Sequence, residues 1–375
     1  MERLSTDRRG FIKSALVAGA YLAASGGAAS RPAFAAVDEK PRRLPPVNVS
    51  RDRVIRTVVG LRPYRPQGFA LAPERLGEKL VVHNYGHGGS GITLSWGVAT
   101  LAAEHARGLE DKSVAVLGCG VVGLSTARVL QRRGMSVTVY ARELPPETTS
   151  NVAGGLWYPS SLYSPRKVGA DFQERFRLAC RLAHRELQTY VGPEYGVRWI
   201  ETYTLDDEPD PPGYEPPGGA ELYPAARYYA DARRSFGFPH ARLYSTMLVE
   251  PHTYLRALMR DFHAAGGRVV VCELKGREEV AALPERVVFN CTGLGARALF
   301  GDQSLVPVRG QLEVLLPQPE VDYCYLAGSF YMFPRRDGVV LGGTFEHDNA
   351  SLEPDAKTTA RIIERNAEIA RGLRR

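Results

Sequence analysis

Four glycines crowd one short stretch of the chain, His83-Asn84-Tyr85-Gly86-His87-Gly88-Gly89-Ser90-Gly91-Ile92-Thr93, around two histidines and a tyrosine. Glycine loses more backbone freedom on folding than any other residue, so such a cluster implies positive φ angles or a ligand lying close to the main chain. A second cluster, Gly118-Cys119-Gly120-Val121-Val122-Gly123, has the spacing of a dinucleotide turn. There the first glycine permits the tight turn, the second lets the backbone approach a pyrophosphate, and the third lets helix and strand pack closely. The N-terminus of the following helix adds partial positive charge. A carboxylate is expected after the next strand to hold a ribose; the chain has Arg142 first and Glu143 next. Arginine there leaves open a dinucleotide carrying a 2′-phosphate, and with it an NAD(P)-dependent dehydrogenase. His83 and His87 could serve as bases or metal ligands, but neither has a carboxylate or cysteine at ligand spacing, so both read as structural hydrogen-bonding residues and no metal site is expected.

The elements that must position these residues follow from the apolar pattern. Strands are expected at 53–59, 80–82, 112–117, 136–140 and 287–289, with an extended Leu61-Arg62-Pro63-Tyr64-Arg65-Pro66 whose prolines fix the backbone. Helical spacing covers 92–107, 124–133, 171–189, 252–265 and 354–372. Near the C-terminal end, 311–316, 323–326, 329–333 and 339–341 read as antiparallel strands, with a turn at 334–338. Residues 206–234, rich in Pro, Gly, Tyr and charge, read as a structureless insert, either a lid or a surface loop.

The remaining features bound the class. At 375 residues, 44% hydrophobic and 24% charged, the chain suits about two globular domains. The net charge of +7 is concentrated in terminal arginines without interleaved aromatics, which argues against nucleic acid. Five cysteines, Cys119, Cys180, Cys272, Cys291 and Cys324, show no CxxC spacing and read as buried apolar side chains. Thr6-Asp7-Arg8-Arg9-Gly10-Phe11-Ile12-Lys13, a mildly apolar 14–30 and Ala33-Phe34-Ala35 look like a twin-arginine signal with cleavage before Ala36. Cleavage would deliver the protein to the periplasm or medium through the twin-arginine export machinery; a short membrane anchor is the alternative. Residues 37–50 read as a polar linker.

Taken in order, Val114-Ala115-Val116-Leu117 with the glycine turn, Thr148-Thr149-Ser150-Asn151-Val152-Ala153-Gly154-Gly155-Leu156-Trp157, Asn290-Cys291-Thr292-Gly293, Val308-Arg309-Gly310-Gln311, Tyr331-Met332-Phe333-Pro334-Arg335 and Leu341-Gly342-Gly343-Thr344 resemble the D-amino-acid oxidases. Gly60-Leu61-Arg62-Pro63-Tyr64-Arg65-Pro66 and His83 to Gly89 resemble that family too, but there these motifs close the chain, so the order here is circularly permuted, joined through residues 109–113. The resemblance implies an α/β fold with a Rossmann-like FAD-binding domain and a mixed or antiparallel-sheet substrate domain. It divides the chain into a signal at 1–36, a linker at 37–50, a family C-terminal equivalent at 51–110, the βαβ core at 111–165, a mixed region at 166–285, a strand and turn of the FAD domain at 286–310 and substrate-domain strands with a closing helix at 311–375.

The resemblance also implies roles. Arg62 would take the substrate carboxylate, Tyr331 would support it, and the Gly89 carbonyl would accept from the amine. FAD would lie on Gly118, Gly120, Val121, Val122 and Gly123 at the pyrophosphate, Arg142, Glu143 and Leu274 at the adenosine end, and Thr148, Thr149 and Ser150 at the phosphates and ribityl chain. Gly154, Gly155, Leu156, Gly88, Gly89, Gly91, Ile92 and Thr93 would run along the ring. The family's second active-site tyrosine falls on Ala327, with Tyr325 or Tyr323 as substitutes. The implied reaction oxidises D-amino acids to 2-oxo acids, ammonia and hydrogen peroxide with dioxygen as acceptor. A D-aspartate preference ranks below neutral or basic substrates for want of a second arginine, and a homodimer is compatible with the resemblance.

Overall fold

The apolar runs Val81-Val82, residues 114–117 and Val287-Val288-Phe289 are all buried. They lie side by side as central strands of one sheet, as expected of parallel strands covered on both faces. The computed structural model describes residues 34–37 and 41–373. The twin-arginine motif and the apolar run after it lie outside the described residues.

In chain order the strands are β1 (Ala35–Ala36), β2 (Val54–Tyr64), β3 (Ala70–Leu76), β4 (Lys79–Tyr85), β5 (Ser113–Leu117), β6 (Ser136–Ala141), β7 (Val197–Asp206) and β8 (Arg227–Tyr229). They continue as β9 (His240–Val249), β10 (Arg268–Val271), β11 (Val287–Asn290), β12 (Val306–Leu315), β13 (Tyr323–Ala327), β14 (Phe330–Arg335), β15 (Gly338–Gly342) and β16 (Glu346–His347). The helices are α1 (Gly91–Ala103), α2 (Val121–Arg132), α3 (Ala170–Gln188), α4 (Arg233–Phe236), α5 (Pro251–Ala264), α6 (Arg277–Ala281), α7 (Gly295–Phe300) and α8 (Ala356–Gly372).

One sheet has the order β10-β6-β5-β11-β4-β3, parallel except for β3 against β4. Helix α1 packs on α2 and α3 and is buried on almost every side, which is why its sequence is apolar all round. Its Trp96 stacks on Tyr190 and donates its indole N–H to the Tyr254 hydroxyl at 2.6 Å. The second sheet runs β1-β8-β9-β7-β13-β14-β15-β12-β16, with β2 also paired to β12. Here strands alternate faces, and α8 covers one side. Asn366 of α8 donates to the Gly342 and Ile362 carbonyls and accepts from the Tyr325 hydroxyl at 2.8 Å, so a fully buried amide is satisfied.

The fold class matches the expectation, while several elements differ. β2 runs from Val54 through the whole proline motif, so Arg62 sits in a strand. β4 carries His83, Asn84 and Tyr85, taking half of the glycine stretch into the sheet. β3, hidden in the sequence by Pro73, is the edge strand, a position that tolerates proline. The expected turn at 334–338 is shorter, because β14 continues to Arg335. Residues 206–234 are not structureless: β8 pairs with β9, and Leu222, Tyr223 and Tyr229 are buried. The expected linker is docked, with Leu44 and Val47 in the core beneath α8 and Arg42 paired to Glu201 and Asp322. Among the described residues no helix is long and apolar enough to cross a membrane.

Candidate functional site

A cavity of about 880 Å³ opens between the two sheets. That is the upper part of the size range of small-molecule and cofactor sites. Its wall includes the glycine turn after β5, the segment after β6, residues 148–161, the glycine loop after β4, and parts of β2, β12, β13 and β14.

At one end, Gly118 has φ +96° and Gly120 precedes the first turn of α2, whose Val121 N–H donates to Ser150 Oγ at 3.0 Å. Gly118, Gly120, Val121, Val122, Thr148, Thr149 and Ser150 all line the wall. Gly123 does not. A Cβ there would stand 2.0 Å from the Gly118 carbonyl oxygen, so its place is under the turn, where helix meets strand, rather than facing a pyrophosphate. Arg142, Glu143 and Leu274 line the far end. The Arg142 guanidinium is shared between Glu143 at 2.8 Å and Glu273 at 3.0 Å.

The glycine loop is clamped directly by residues 157–161. Gly89 N–H donates to the Ser161 carbonyl at 3.1 Å, Ser90 Oγ to the Ser160 carbonyl at 2.6 Å, and Trp157 Nε1 to the Thr93 carbonyl at 3.1 Å. Gly88, Gly89, Gly91, Ile92 and Thr93 reach the wall from one side, Gly154, Gly155 and Leu156 from the other.

At the opposite end, Arg62 Nη1 donates to the carbonyls of Thr344 at 3.0 Å and Arg309 at 3.3 Å, and the guanidinium lies 5.4 Å from the centre of the Phe345 ring. It occupies the space above Gly310, where a Cβ would come within 2.5 Å of both terminal nitrogens. Tyr331 stands beside it, stacked on Phe333 at 4.7 Å. Burial pushes the Tyr331 hydroxyl above its ordinary pKa, and the hydrogen-bonding Arg62 guanidinium acts the other way. The arrangement offers a carboxylate a forked cation and a phenol in a largely apolar recess.

These features fit FAD: a glycine turn open to a diphosphate, a helix N-terminus behind it, and side-chain-free backbone along the middle of the cavity. A family model described as "FAD dependent oxidoreductase" matches residues 14–105 and 113–375. The chain belongs to this family of FAD-dependent oxidoreductases. Among its relatives, the "D-amino-acid oxidase" of Streptomyces coelicolor is 36% identical over 268 residues, covering 69% of this chain and 78% of that protein. The "D-amino-acid oxidase" of Rubrobacter xylanophilus is 34% identical over 272 residues, covering 72% and 80%. In fold the chain is similar to the glycine oxidase of Geobacillus kaustophilus, with a TM-score of 0.52 at 18% identity over 69% of this chain and 78% of that one. The cofactor of the oxidoreductase is FAD.

Two expectations near the substrate end are corrected. Neither Tyr323 nor Tyr325 stands in for a second active-site tyrosine. On β13 they share the face turned to α8, where Tyr323 donates to the Pro45 carbonyl and Tyr325 to Asn366, so the side chain presented to the cavity is Leu326. His83 does have a carboxylate partner, Glu74 of β3 at 2.7 Å, and its other nitrogen accepts from Asn290. Both contacts arise from strand pairing and fix the end of β4; among the described residues no cluster could hold a metal. Ser160, Ser161, Gly310, Leu326 and Leu352 join the wall without a local sequence signal, apart from the glycine.

His87 is buried, stacked on Phe69 at 5.4 Å, with Nε2 unpartnered. Burial lowers its pKa to about 3. The unfolded chain binds a proton at this residue below its ordinary value of 6.5, whereas the folded chain resists it, so this contribution to stability is lost as pH falls from about 6.5 toward 3. Urea midpoints measured between pH 7 and 4 should fall less steeply for His87→Phe than for the parent.

Proposed function

We propose that this oxidoreductase is a D-amino-acid oxidase, converting D-amino acids to 2-oxo acids, ammonia and hydrogen peroxide. The observation that carries the reading is the Arg62 guanidinium, held over Gly310 beside Tyr331 in the same cavity as the glycine loop and the dinucleotide turn.

Arg62 binds the substrate carboxylate through its guanidinium N–H groups other than the Nη1 pair, which the Thr344 and Arg309 carbonyls hold, and the Tyr331 hydroxyl donates to the same carboxylate. The Gly89 carbonyl accepts from the amine. With carboxylate and amine fixed, only one enantiomer turns its α-hydrogen toward the middle of the cavity, and this positioning is the protein's main contribution to rate. FAD, when bound, would supply the two-electron redox chemistry, with dioxygen as the final acceptor. Gly118, Gly120, Val121 and Val122 hold the diphosphate, with Thr148, Thr149 and Ser150 beside it. Arg142, Glu143 and Leu274 meet the adenosine portion, while Gly154, Gly155, Leu156, Gly88, Gly91, Ile92 and Thr93 flank the ring. The N-terminus of α1 would place its partial positive charge on the side of the cavity lined by Gly91, Ile92 and Thr93.

Arg142 does not favour a 2′-phosphate, because Glu143 and Glu273 already occupy it. A D-aspartate preference is disfavoured too: of the cationic residues in the wall, Arg142 and Lys275 lie at the adenosine end, leaving Arg62 alone for carboxylates at the substrate end. Purified holoenzyme should release peroxide with D-alanine and not with L-alanine. Arg62→Ala should raise KM about 100-fold while retaining FAD, as expected when a charged hydrogen bond of up to about 3 kcal/mol is removed. Loss of the yellow colour in that variant, or peroxide from the L-enantiomer alone, would overturn the reading.

The permuted order is part of the same proposal. Its support is that the family match breaks at residues 106–112, between the end of α1 and β5. The two ends of the described segment 41–373 also share one core cluster, which holds Leu44, Val47 and Leu373. A chain opened between 107 and 112, with residue 373 linked to 41, should fold and bind FAD; an insoluble, cofactor-free product would count against it. Export by the twin-arginine route rests on the N-terminal motif. Replacing Arg8 and Arg9 by lysine should leave the enzyme inside the cell, and unchanged export would remove that part. Cleavage before Ala36 would detach Phe34, which lies buried against the rings of Tyr214 and Tyr244.

A further inference from the structure

Tyr331, Phe333 and Arg335 alternate along β14 and so share one face of the strand. The first two line the cavity, and Arg335 is buried beside them. Its guanidinium divides between two tasks. Nε and Nη2 each donate to one oxygen of Asp337 at 2.9 Å, a forked pair that fixes the plane of the group. Nη1 donates to the Ala153 carbonyl at 3.0 Å, in the part of the cavity wall that continues into Gly154 and Gly155. Asp337 accepts from a second arginine, Arg56 at 3.0 Å, which lies on β2 six residues before Arg62. Burial raises the Asp337 carboxyl, but the two guanidiniums outweigh it and hold the group below the ordinary carboxylate range, so the fork stays charged. One cluster therefore ties β2 and β14, the strands that carry Arg62 and Tyr331, to the main chain beside the two glycines.

What the tie controls is visible at Gly154. A Cβ there would come within 2.8 Å of the Phe333 ring and 3.7 Å of the Tyr331 ring, so the backbone of 153–155 packs directly on the stacked pair. Beyond it, the Gly155 carbonyl accepts from the Val249 N–H of β9 at 2.9 Å. Resting on the reading that FAD lies along Gly154 and Gly155 and substrate at Tyr331, we propose that Arg335 is a positioning residue: through the Ala153 carbonyl it sets how closely the backbone beside the ring approaches the Tyr331–Phe333 stack, and with it the distance between the substrate's α-carbon and the ring.

Arg335→Lys keeps the charge but has no fork with which to hold Asp337 and the Ala153 carbonyl together. Reduction of the holoenzyme by D-alanine without dioxygen, followed as loss of the yellow colour, should slow at least about tenfold, within the roughly 100-fold that a displacement of 1 Å can cost. Binding of propanoate, which needs only Arg62 and Tyr331, should hardly change, so the loss falls on kcat and not on KM. The visible absorption band of the bound flavin, a readout that needs no turnover, should change shape in Arg335→Lys. Asp337→Asn, which leaves Nη1 on Ala153, should change both readouts in the same direction but less. If both variants merely melt earlier and shed FAD, while the fraction that retains it is reduced at the parent rate with the parent spectrum, the positioning role is overturned and the oxidase reading stands. If the parent itself is reduced by no D-amino acid, the oxidase reading is overturned, and the two spectra still decide whether Arg335 sets the backbone beside the ring.

Discussion

A guanidinium lying where a side chain would otherwise stand is the contact on which the substrate end depends. Arg62 is a strand residue paired with Val308 of β12, and its guanidinium reaches diagonally over Gly310 two residues on. Any Cβ at Gly310 would push the charge out of the recess that Thr344, Phe345 and Tyr331 form around it. The same economy operates at Tyr331, whose ring fills the space beside Gly342, where a Cβ would be 2.0 Å from the ring. Room for these two side chains is obtained by removing side chains from β12 and β15, so that both can lie flat against the sheet.

The cavity exists because each sheet contributes what the other cannot. The parallel sheet ends its strands at one edge, where β4 and β5 release the two glycine segments toward a common ligand. The mixed sheet brings Arg62 and Tyr331 on β2 and β14 to face them. Residues 157–161 tie the halves together, because their carbonyls and the Trp157 indole hold the glycine loop in register against α1. The His83–Glu74 and His83–Asn290 contacts perform the same service at the end of β4, so the histidines of the glycine stretch are structural even though one of them has an acid partner.

Much of the fold was legible before any coordinates. The central strands read correctly because a parallel sheet buried on both faces demands unbroken apolar runs, and α1 because its apolar residues recur at helical spacing, although its burial on almost every side appears only in the fold. The strands β7 and β9 were missed, and residues 206–234 were misread as structureless, because their tyrosines, threonines and charges bury in pairs that only the fold supplies, such as Arg242 against Asp206 and Asp210. β3 was missed because Pro73 argues against a strand unless the position is known to be an edge.

For the site, the sequence alone singled out the two glycine segments, at 86–91 and 118–123, since close backbone approach leaves a composition that nothing else requires, and it marked Arg62 only through the family motif around it. It could not determine which face of β13 looks into the cavity, because a strand's side chains alternate and a shift of one residue exchanges Leu326 for Tyr325. Nor could it place Gly310 beneath Arg62 or Arg335 against Ala153, contacts that span from about one hundred and eighty to about two hundred and fifty residues. Those were decided by tertiary pairing, in which the energy lies between segments and leaves no periodic trace in either one.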